Sequence, residues 1–240
     1  MLYFNVEKNI GTFNLKCEGE FLEGVTVIQG ASGSGKTTFL NLIAGLLVPD
    51  RGEIRLENKV LYKKTEGGKK IDIPVKRRDI GYVFQNYHLF PHMTVLDNIM
   101  YGIINQNKEK LGLTGAEKLE YAKNTMETLG ILHLENRRPG ETSGGEKQRI
   151  AFARAIVTKP SLLLLDEPFS ALDEDTKETM YKEFLFIKDT FKIPTILVSH
   201  NRKEGALLGD TVYMMKKGVL SDSEVMKGGT DFEKESGRFR

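Results

Sequence analysis

The stretch Val25–Thr37, VTVIQGASGSGKT, decides the fold. A short β-branched run ends at Gly30. A loop of glycines and serines follows, and then Lys36-Thr37 leads into apolar positions at helical spacing, Phe39, Leu42, Ile43 and Leu46. Gly30–Thr37 fits G-x-x-x-x-G-K-[ST] in full. In that pattern the glycines let backbone N–H groups wrap a β-phosphate. Lys36 neutralises the β/γ charge, and the Thr37 hydroxyl can ligate Mg²⁺. Gly30, Ala31, Ser32, Gly33, Ser34, Gly35, Lys36 and Thr37, with Thr38 behind them, are the candidate nucleotide contacts. A chance Gly/Ser turn would not need a strand before it and a helix after it. The stretch predicts a nucleoside triphosphate site.

Outward from that loop, the first third reads as strands. Leu2, Phe4 and Val6 alternate with less apolar neighbours, and Phe13, Leu15 and Cys17 repeat the spacing. The middle reads as a helical insert. Thr114-x-x-Glu117 is a capping box, and Leu119, Ala122, Met126 and Leu129 form a helical stripe ending at Gly130. The last part alternates again. Leu162–Leu165 and Thr195–Ser199 read as strands, Met180, Phe184, Ile187 and Phe191 as a helix face, and Thr211–Leu220 as a hairpin around Lys217-Gly218. Apolar strands alternating with helices imply a mostly parallel, covered sheet. The polar tail from Gly228 to Arg240 is expected to be loosely ordered.

Composition narrows the class. The chain has 240 residues, 40% hydrophobic and 28% charged, which suits one globular domain with a subdomain inserted. A formal charge of +2 gives no reason to expect nucleic acid, and the run Lys76-Arg77-Arg78 reads as a solvated face. One cysteine, Cys17, permits no intrachain disulfide and fits a reducing compartment. The first residues do not read as a signal peptide, and no apolar run reaches about 18 residues, so a membrane role is expected through a partner.

Asp166-Glu167 ends the apolar run Leu162–Leu165, at the strand end where ligands bind in open α/β sheets. Beside a phosphate loop, Asp166 would hold Mg²⁺ and Glu167 would orient and deprotonate an attacking water. His200 follows Thr195–Ser199 in the same topological position, within reach of a γ-phosphate, and Gln85 ends the run Ile80–Phe84. His88 and His92 flank Pro91 without a completing Cys or acidic cluster, and His133 reads as structural, so no zinc site is expected.

A second anion-type signal sits in Thr142–Arg149, TSGGEKQR, before a helix expected over Glu146–Val157. Ser143-x-x-Glu146 is itself a capping box. The paired Gly144 and Gly145 are harder to explain, since each lowers helix propensity by about 1 kcal/mol relative to alanine. They make sense if a phosphate approaches the backbone there, supplied by a second copy of the chain.

The phosphate loop, Gln85, the SGGE of Ser143–Glu146, the LLLLDEP run through Pro168, Ser170-Ala-Leu-Asp173 and Ser199-His200 occur in the order found in ATP-binding-cassette (ABC) ATPases, and the chain resembles that family over nearly its whole length. The resemblance implies an α/β P-loop core with a mostly parallel sheet, an N-terminal antiparallel β subdomain and an inserted α-helical subdomain. Residues 1–87 and 151–240 would form the core and β subdomain, residues 88–150 the helical subdomain carrying the signature, with no C-terminal regulatory domain. It implies ATP and Mg²⁺ as cofactors and a head-to-tail dimer with two ATPs at the interface. The signature residues Ser143, Gly144, Gly145 and Glu146 would contact the ATP of the partner copy. Glu167 would act as base, His200 would read the γ-phosphate, and Asp173 would work across the dimer. Gln85 would join Thr37 and Asp166 at the metal and couple the nucleotide to a transmembrane partner. ATP hydrolysis would then power transport through separate permease subunits, fed indirectly by an extracytoplasmic solute-binding protein, with the chain peripheral on the cytoplasmic face of the membrane.

Two departures from the family pattern stand out. Thr142 occupies a position usually held by Leu, and Glu146 one often held by Gln. Where an aromatic normally stacks on adenine the chain has Ile10-Gly11, with Phe13 close by. RRDIGYVFQNYHLFPHMTVLDNI and GETSGGEKQRIAFARAI most resemble ATPases of molybdate-type oxyanion importers, and sulfate, iron and polyamine importer ATPases share much of both. A non-transport ABC ATPase is the alternative. Tandem cassettes or a long coiled coil between P-loop and signature would favour it, and neither feature occurs. A P-loop kinase or GTPase would lack the SGGE signature.

Overall fold

The computed structural model describes residues 1–11, 13–65, 67–105 and 111–225. Eleven strands run in chain order: β1 Leu2–Asn9, β2 Asn14–Phe21, β3 Val25–Gln29, β4 Arg51–Leu56, β5 Lys59–Lys64, β6 Ile71–Asp72, β7 Ile80–Val83, β8 Leu162–Asp166, β9 Thr195–Ser199, β10 Thr211–Lys216 and β11 Val219–Val225. The helices are α1 Lys36–Ala44, α2 Val95–Asn105, α3 Gly115–Thr128, α4 Gly144–Ile156, α5 Glu174–Phe191 and α6 Arg202–Leu208.

All eleven strands form one sheet, ordered β6-β5-β4-β1-β2-β11-β10-β3-β9-β8-β7. From β10 to β7 every pair is parallel, and from β6 to β2 every pair is antiparallel. The β10–β11 hairpin joins the halves: β10 runs parallel to β3 and β11 parallel to β2. Its turn residues, Lys217 and Gly218, both have positive φ, as a two-residue hairpin loop that matches strand twist requires. The antiparallel part is therefore continuous with the parallel part, and each strand type shows in its burial. β3, β8 and β9 are buried at every residue because both faces are covered, whereas β1 buries only Leu2, Phe4 and Val6 on its inner face.

Two cores flank the sheet. On one side α1 packs under the antiparallel strands, with the Phe39 ring edge-on to Phe4 at 4.9 Å and Phe21 against Phe4 at 4.7 Å. On the other, α4 packs on β7, α2 and α3, with α5 against it in the same core. Helix α4 runs without a break across residue 150, where the helical insert was expected to end. Among the described residues no helix is long and apolar enough to cross a membrane. The tail from Gly228 lies outside the described residues. Cys17 is buried, its thiol donating to Gly218 O at 3.4 Å, and burial pushes it up to about 12.

Three local expectations are corrected. Gly45, with φ 81, ends α1 and donates its N–H to Leu42 O, so Leu46 lies beyond the helix and is half exposed. Leu119 faces outward, and the inner stripe of α3 is Ala122, Thr125 and Met126. The run Lys76–Arg78 is not uniformly solvated. A 3₁₀ turn at Val75–Arg77 swings Arg78 inward to 1% exposure. There it donates to Leu42 O (3.0 Å), Ile43 O (2.8 Å) and Ile73 O (2.9 Å), and pairs with Asp72 at 3.2 Å. Leu42 and Ile43 lie in the last turn of α1, so Arg78 shares Leu42 O with the Gly45 N–H and caps Ile43 O at the helix end.

Candidate nucleotide site

Four parallel strands deliver their C-terminal ends to one edge of the sheet. β3 leads into Gly30, β8 into Glu167, β9 into His200, and β7 into Phe84-Gln85. Lys36, the first residue of α1, is 4% exposed, and its ammonium donates to Gly30 O (2.8 Å) and Ala31 O (3.1 Å), which closes the loop into a ring. Gly35 is the N-cap and supplies no side-chain cap, so the first N–H groups of α1 stay available to an anion. The buried Ser34 hydroxyl has no protein partner either.

Thr37 Oγ1 donates to Asp166 Oδ1 at 2.9 Å. Asp166 is buried, and burial pushes its carboxyl above the ordinary range. The Thr37 hydrogen bond works against that shift, the Glu167 charge reinforces it, and Lys36 opposes it. Glu167 has φ 47, a left-handed conformation that costs a non-glycine residue on the order of 1–3 kcal/mol. Its N–H donates to Val198 O at 3.0 Å. Its carboxylate then stands between the His200 imidazole and the Lys36 ammonium, Oε2 at 3.1 Å from His200 Nδ1 and Oε1 at 3.8 Å from Lys36 Nζ. Gln85 donates to Ser170 Oγ at 3.4 Å. A cleft of about 400 Å³ brings Ser32, Gly33, Gly35, Lys36, Thr37, Thr38, Gln85 and Glu167 together, with Ile10 and Phe13 on its apolar wall.

The signature forms a separate group. Ser143 is the N-cap of α4. Its hydroxyl accepts from Glu146 N at 3.3 Å, and the Glu146 carboxylate accepts from Ser143 N at 2.7 Å. Gly144 and Gly145 are the first residues inside the helix, not in front of it. An added Cβ at Gly144 would meet only Leu172 Cδ2 at 3.6 Å, and at Gly145 only Met180 Sδ at 3.7 Å and Thr176 Cγ2 at 3.8 Å. These are ordinary contacts, and neither glycine has positive φ. Nothing among the described residues requires glycine at either place. Thr142 is satisfied where it stands, its hydroxyl donating to Pro139 O at 2.9 Å. Asp173 caps α5, accepting from Thr176 N at 2.9 Å. None of these residues lines the phosphate-loop cleft.

Sequence reasoning missed Tyr82 and Arg154. The half-buried Tyr82 hydroxyl donates to Asn41 Oδ1 at 3.1 Å, and desolvation together with the Asp166 charge pushes the phenol upward. Arg154 donates to the Tyr87 and His88 carbonyls. An arginine inside the otherwise apolar run Ile150–Ile156 was the available signal for the second.

A family profile described as ABC transporter matches residues 21–170. The chain belongs to the ABC transporter family. It is 40% identical to the molybdate/tungstate import ATP-binding protein WtpC of Archaeoglobus fulgidus over 94% of this chain and 88% of that one. It is 38% identical to the molybdenum import ATP-binding protein ModC of Paramagnetospirillum magneticum, over all of this chain but 64% of that one, and the same share is 57% for ModC of a Shewanella species. The chain thus spans less than two thirds of these ModC relatives. The fold is that of a solved ATP-binding cassette, MJ0796, in a dimeric post-hydrolysis state bound to ADP and Pi, with a TM-score of 0.76 and 27% identity over 95% of this chain and 100% of that one. The structure of cbiO1 from Clostridium perfringens, part of an ABC transporter complex, gives a TM-score of 0.75 at 26% identity over 94% of this chain and 88% of that one. The ABC cassette is therefore an α/β ATP-binding unit here as in those structures.

Proposed function

We propose that the chain is the ATP-hydrolysing subunit of an importer and works as a head-to-tail pair of copies. The observation that carries this reading is the glycine pair at the start of α4. Two glycines with no steric need among the described residues keep a helix N-terminus clear for an anion, outside the lining of the chain's own phosphate cleft. A second copy presenting its bound ATP accounts for both facts.

Within each cleft the roles follow from position. The ring of Gly30–Gly35 and the uncapped start of α1 bind the phosphates, and Lys36 exchanges its loop carbonyls for phosphate oxygens. The apolar wall of Ile10 and Phe13 suits the base. Thr37 Oγ1, the single carboxylate of Asp166 and the Gln85 amide oxygen make an all-oxygen donor set that leaves positions for phosphate and water, which fits a magnesium ion. That ion would supply neutralisation of charge on the transferring phosphoryl group. Glu167 accepts the proton of the attacking water, while His200, bonded to its other oxygen, holds the carboxylate in place and reaches the γ-phosphate. ATP binding closes the pair and hydrolysis lets it open, so the cycle moves whatever is docked on it. Those docked partners are transmembrane permease subunits, which place the chain on the cytoplasmic face of the membrane.

The solute is a molybdate-type oxyanion, molybdate or tungstate. The support is the naming of relatives that match 92–100% of this chain at 37–40% identity. Affinity capture of the tagged chain from gently solubilised native membranes tests the importer reading. A multi-spanning permease should come with it, and vesicles made from that complex should take up molybdate only with ATP. Recovery of only ribosomal, DNA-bound or cofactor-assembly proteins would overturn the importer while leaving the ATPase chemistry in place.

A further inference from the structure

The segment that follows Gln85 is held in an unusual way. Tyr87 and His88, two consecutive non-glycine residues, both have positive φ, 59 and 44. His88 N donates back to Asn86 O at 2.6 Å, a tight turn that such residues adopt only when their surroundings impose it. One side chain supplies most of that imposition. Arg154, in the last full turn of α4, donates Nη2 to Tyr87 O at 2.7 Å and Nη1 to His88 O at 2.8 Å, with its guanidinium 5.3 Å from the centre of the Phe90 ring. A planar fork bonds two adjacent carbonyls through two separate nitrogens held in fixed geometry.

The same segment is anchored from its other side by the catalytic strands. Tyr82, Phe84 and His88 stack in a column, with ring centres 4.1 Å and then 4.7 Å apart and planes within 19°. The Tyr82 hydroxyl lies at the Asn41–Asp166 end of that column. Tyr87 OH reaches Pro168 O at 3.4 Å, immediately after Glu167. One end of α4 carries Ser143 and the glycine pair, and the other end carries Arg154. The Gln85 segment is thus clamped between the carboxylates of its own cleft and the helix whose opposite end faces the partner's ATP.

We infer that Arg154 is a positioning residue that ties Gln85 to the signature helix, so that the seating of Gln85 at the nucleotide and the placement of Ser143 at the partner's phosphate are one movement. This rests on the nucleotide reading of the cleft. Arg154 touches neither the phosphate loop nor the reacting atoms. Its loss should leave ATP binding to the single chain intact and impair the steps that need the two sites in register.

The test compares the full-length wild type with Arg154→Lys, Arg154→Met, Gln85→Ala and the doubles, by equilibrium ATP titration, steady-state Mg-ATPase kinetics and thermal melting. Arg154→Lys keeps the charge but places one nitrogen on a shorter stem where the guanidinium placed two in a fixed plane, and it stands in should Arg154→Met fail to fold. For Arg154→Lys the expected result is ATP affinity within about twofold of wild type and kcat lower by about tenfold. Gln85→Ala should then lower kcat little further in the Arg154→Lys background, although it lowers it strongly alone. Parallel loss of affinity, kcat and melting temperature would make Arg154 merely structural and overturn the inference, as would fully additive effects of the two substitutions. A wild type that neither binds nor hydrolyses ATP would instead sink the nucleotide reading itself.

Discussion

Replacing Arg78 by methionine removes a charge that is 1% exposed and that holds the C-terminal end of the phosphate-loop helix. The loss can be worked through atom by atom. Leu42 O keeps the Gly45 N–H at 3.3 Å, and Asp72 keeps Lys70 at 3.0 Å. Ile43 O and Ile73 O lose the guanidinium, and methionine offers them nothing. A buried polar group left without a partner costs about 1–3 kcal/mol, so two of them cost about 2–6. Burial depresses the Arg78 pKa, which means its charge is held at a penalty that the substitution recovers in part. A net loss of about 3 kcal/mol should lower Tm by about 6–12 °C in a chain of this size. Circular dichroism melting of Arg78→Met against wild type is the assay. Gly45→Ala extends it. A Cβ at Gly45 would collide with the Arg78 guanidinium, so that substitution should destabilise less in the Arg78→Met background than in wild type. A Tm drop under about 2 °C, or full additivity with Gly45→Ala, would refute the view that Arg78 holds the end of α1.

Three further outcomes follow from the site. Burial raises the Asp166 pKa, so the folded ligand-free chain holds that proton more tightly than the unfolded chain does. Stability from this group is therefore full below the unfolded value and is lost as pH rises through the raised folded value. Asp166→Asn should then raise the ligand-free Tm at pH 7 while abolishing Mg-dependent hydrolysis, and a lowered Tm would contradict burial as the cause. Gly30→Ala would drive a Cβ into the Met215 carbonyl oxygen, displacing the loop, and should weaken ATP binding by about tenfold or more in an equilibrium titration. Ser143→Ala removes the hydroxyl that accepts from Glu146 N and should lower stability by about 1 kcal/mol, read by denaturant unfolding, with ATP affinity of the single chain unchanged.

Local chemistry made much of this legible. The strand–loop–helix at Val25–Ala44 and the acidic pair ending β8 are short-range patterns, and the two capping boxes at Thr114 and Ser143 stand where S/T-x-x-E places them. What sequence could not show depends on distant pairing. Nothing near Thr211 says that β10 lies beside β3, some 185 residues earlier as counted by the bond from Val25 N to Asp210, or that β11 joins the two halves of the sheet. Arg78 and Arg154 were hidden for a related reason. A charge run or a helix-end arginine reads as solvated, and only the tertiary path reveals that the carbonyls of α1 and of Tyr87-His88 wait for a donor. The glycine pair shows the reverse case. Its oddity was visible in the sequence, and the structure sharpened it by showing that no neighbour among the described residues needs it.

The central claim is that two copies close head to tail over ATP, each signature capping the other's nucleotide. Multi-angle light scattering of Glu167→Gln at saturating Mg-ATP tests it most directly, because that change keeps the cleft's shape while removing the proposed base. The account predicts the mass of two chains with ATP and of one chain without it, and one chain again when Ser143→Arg is added. Glu167→Gln remaining monomeric at saturating Mg-ATP, while binding the nucleotide, would contradict the account.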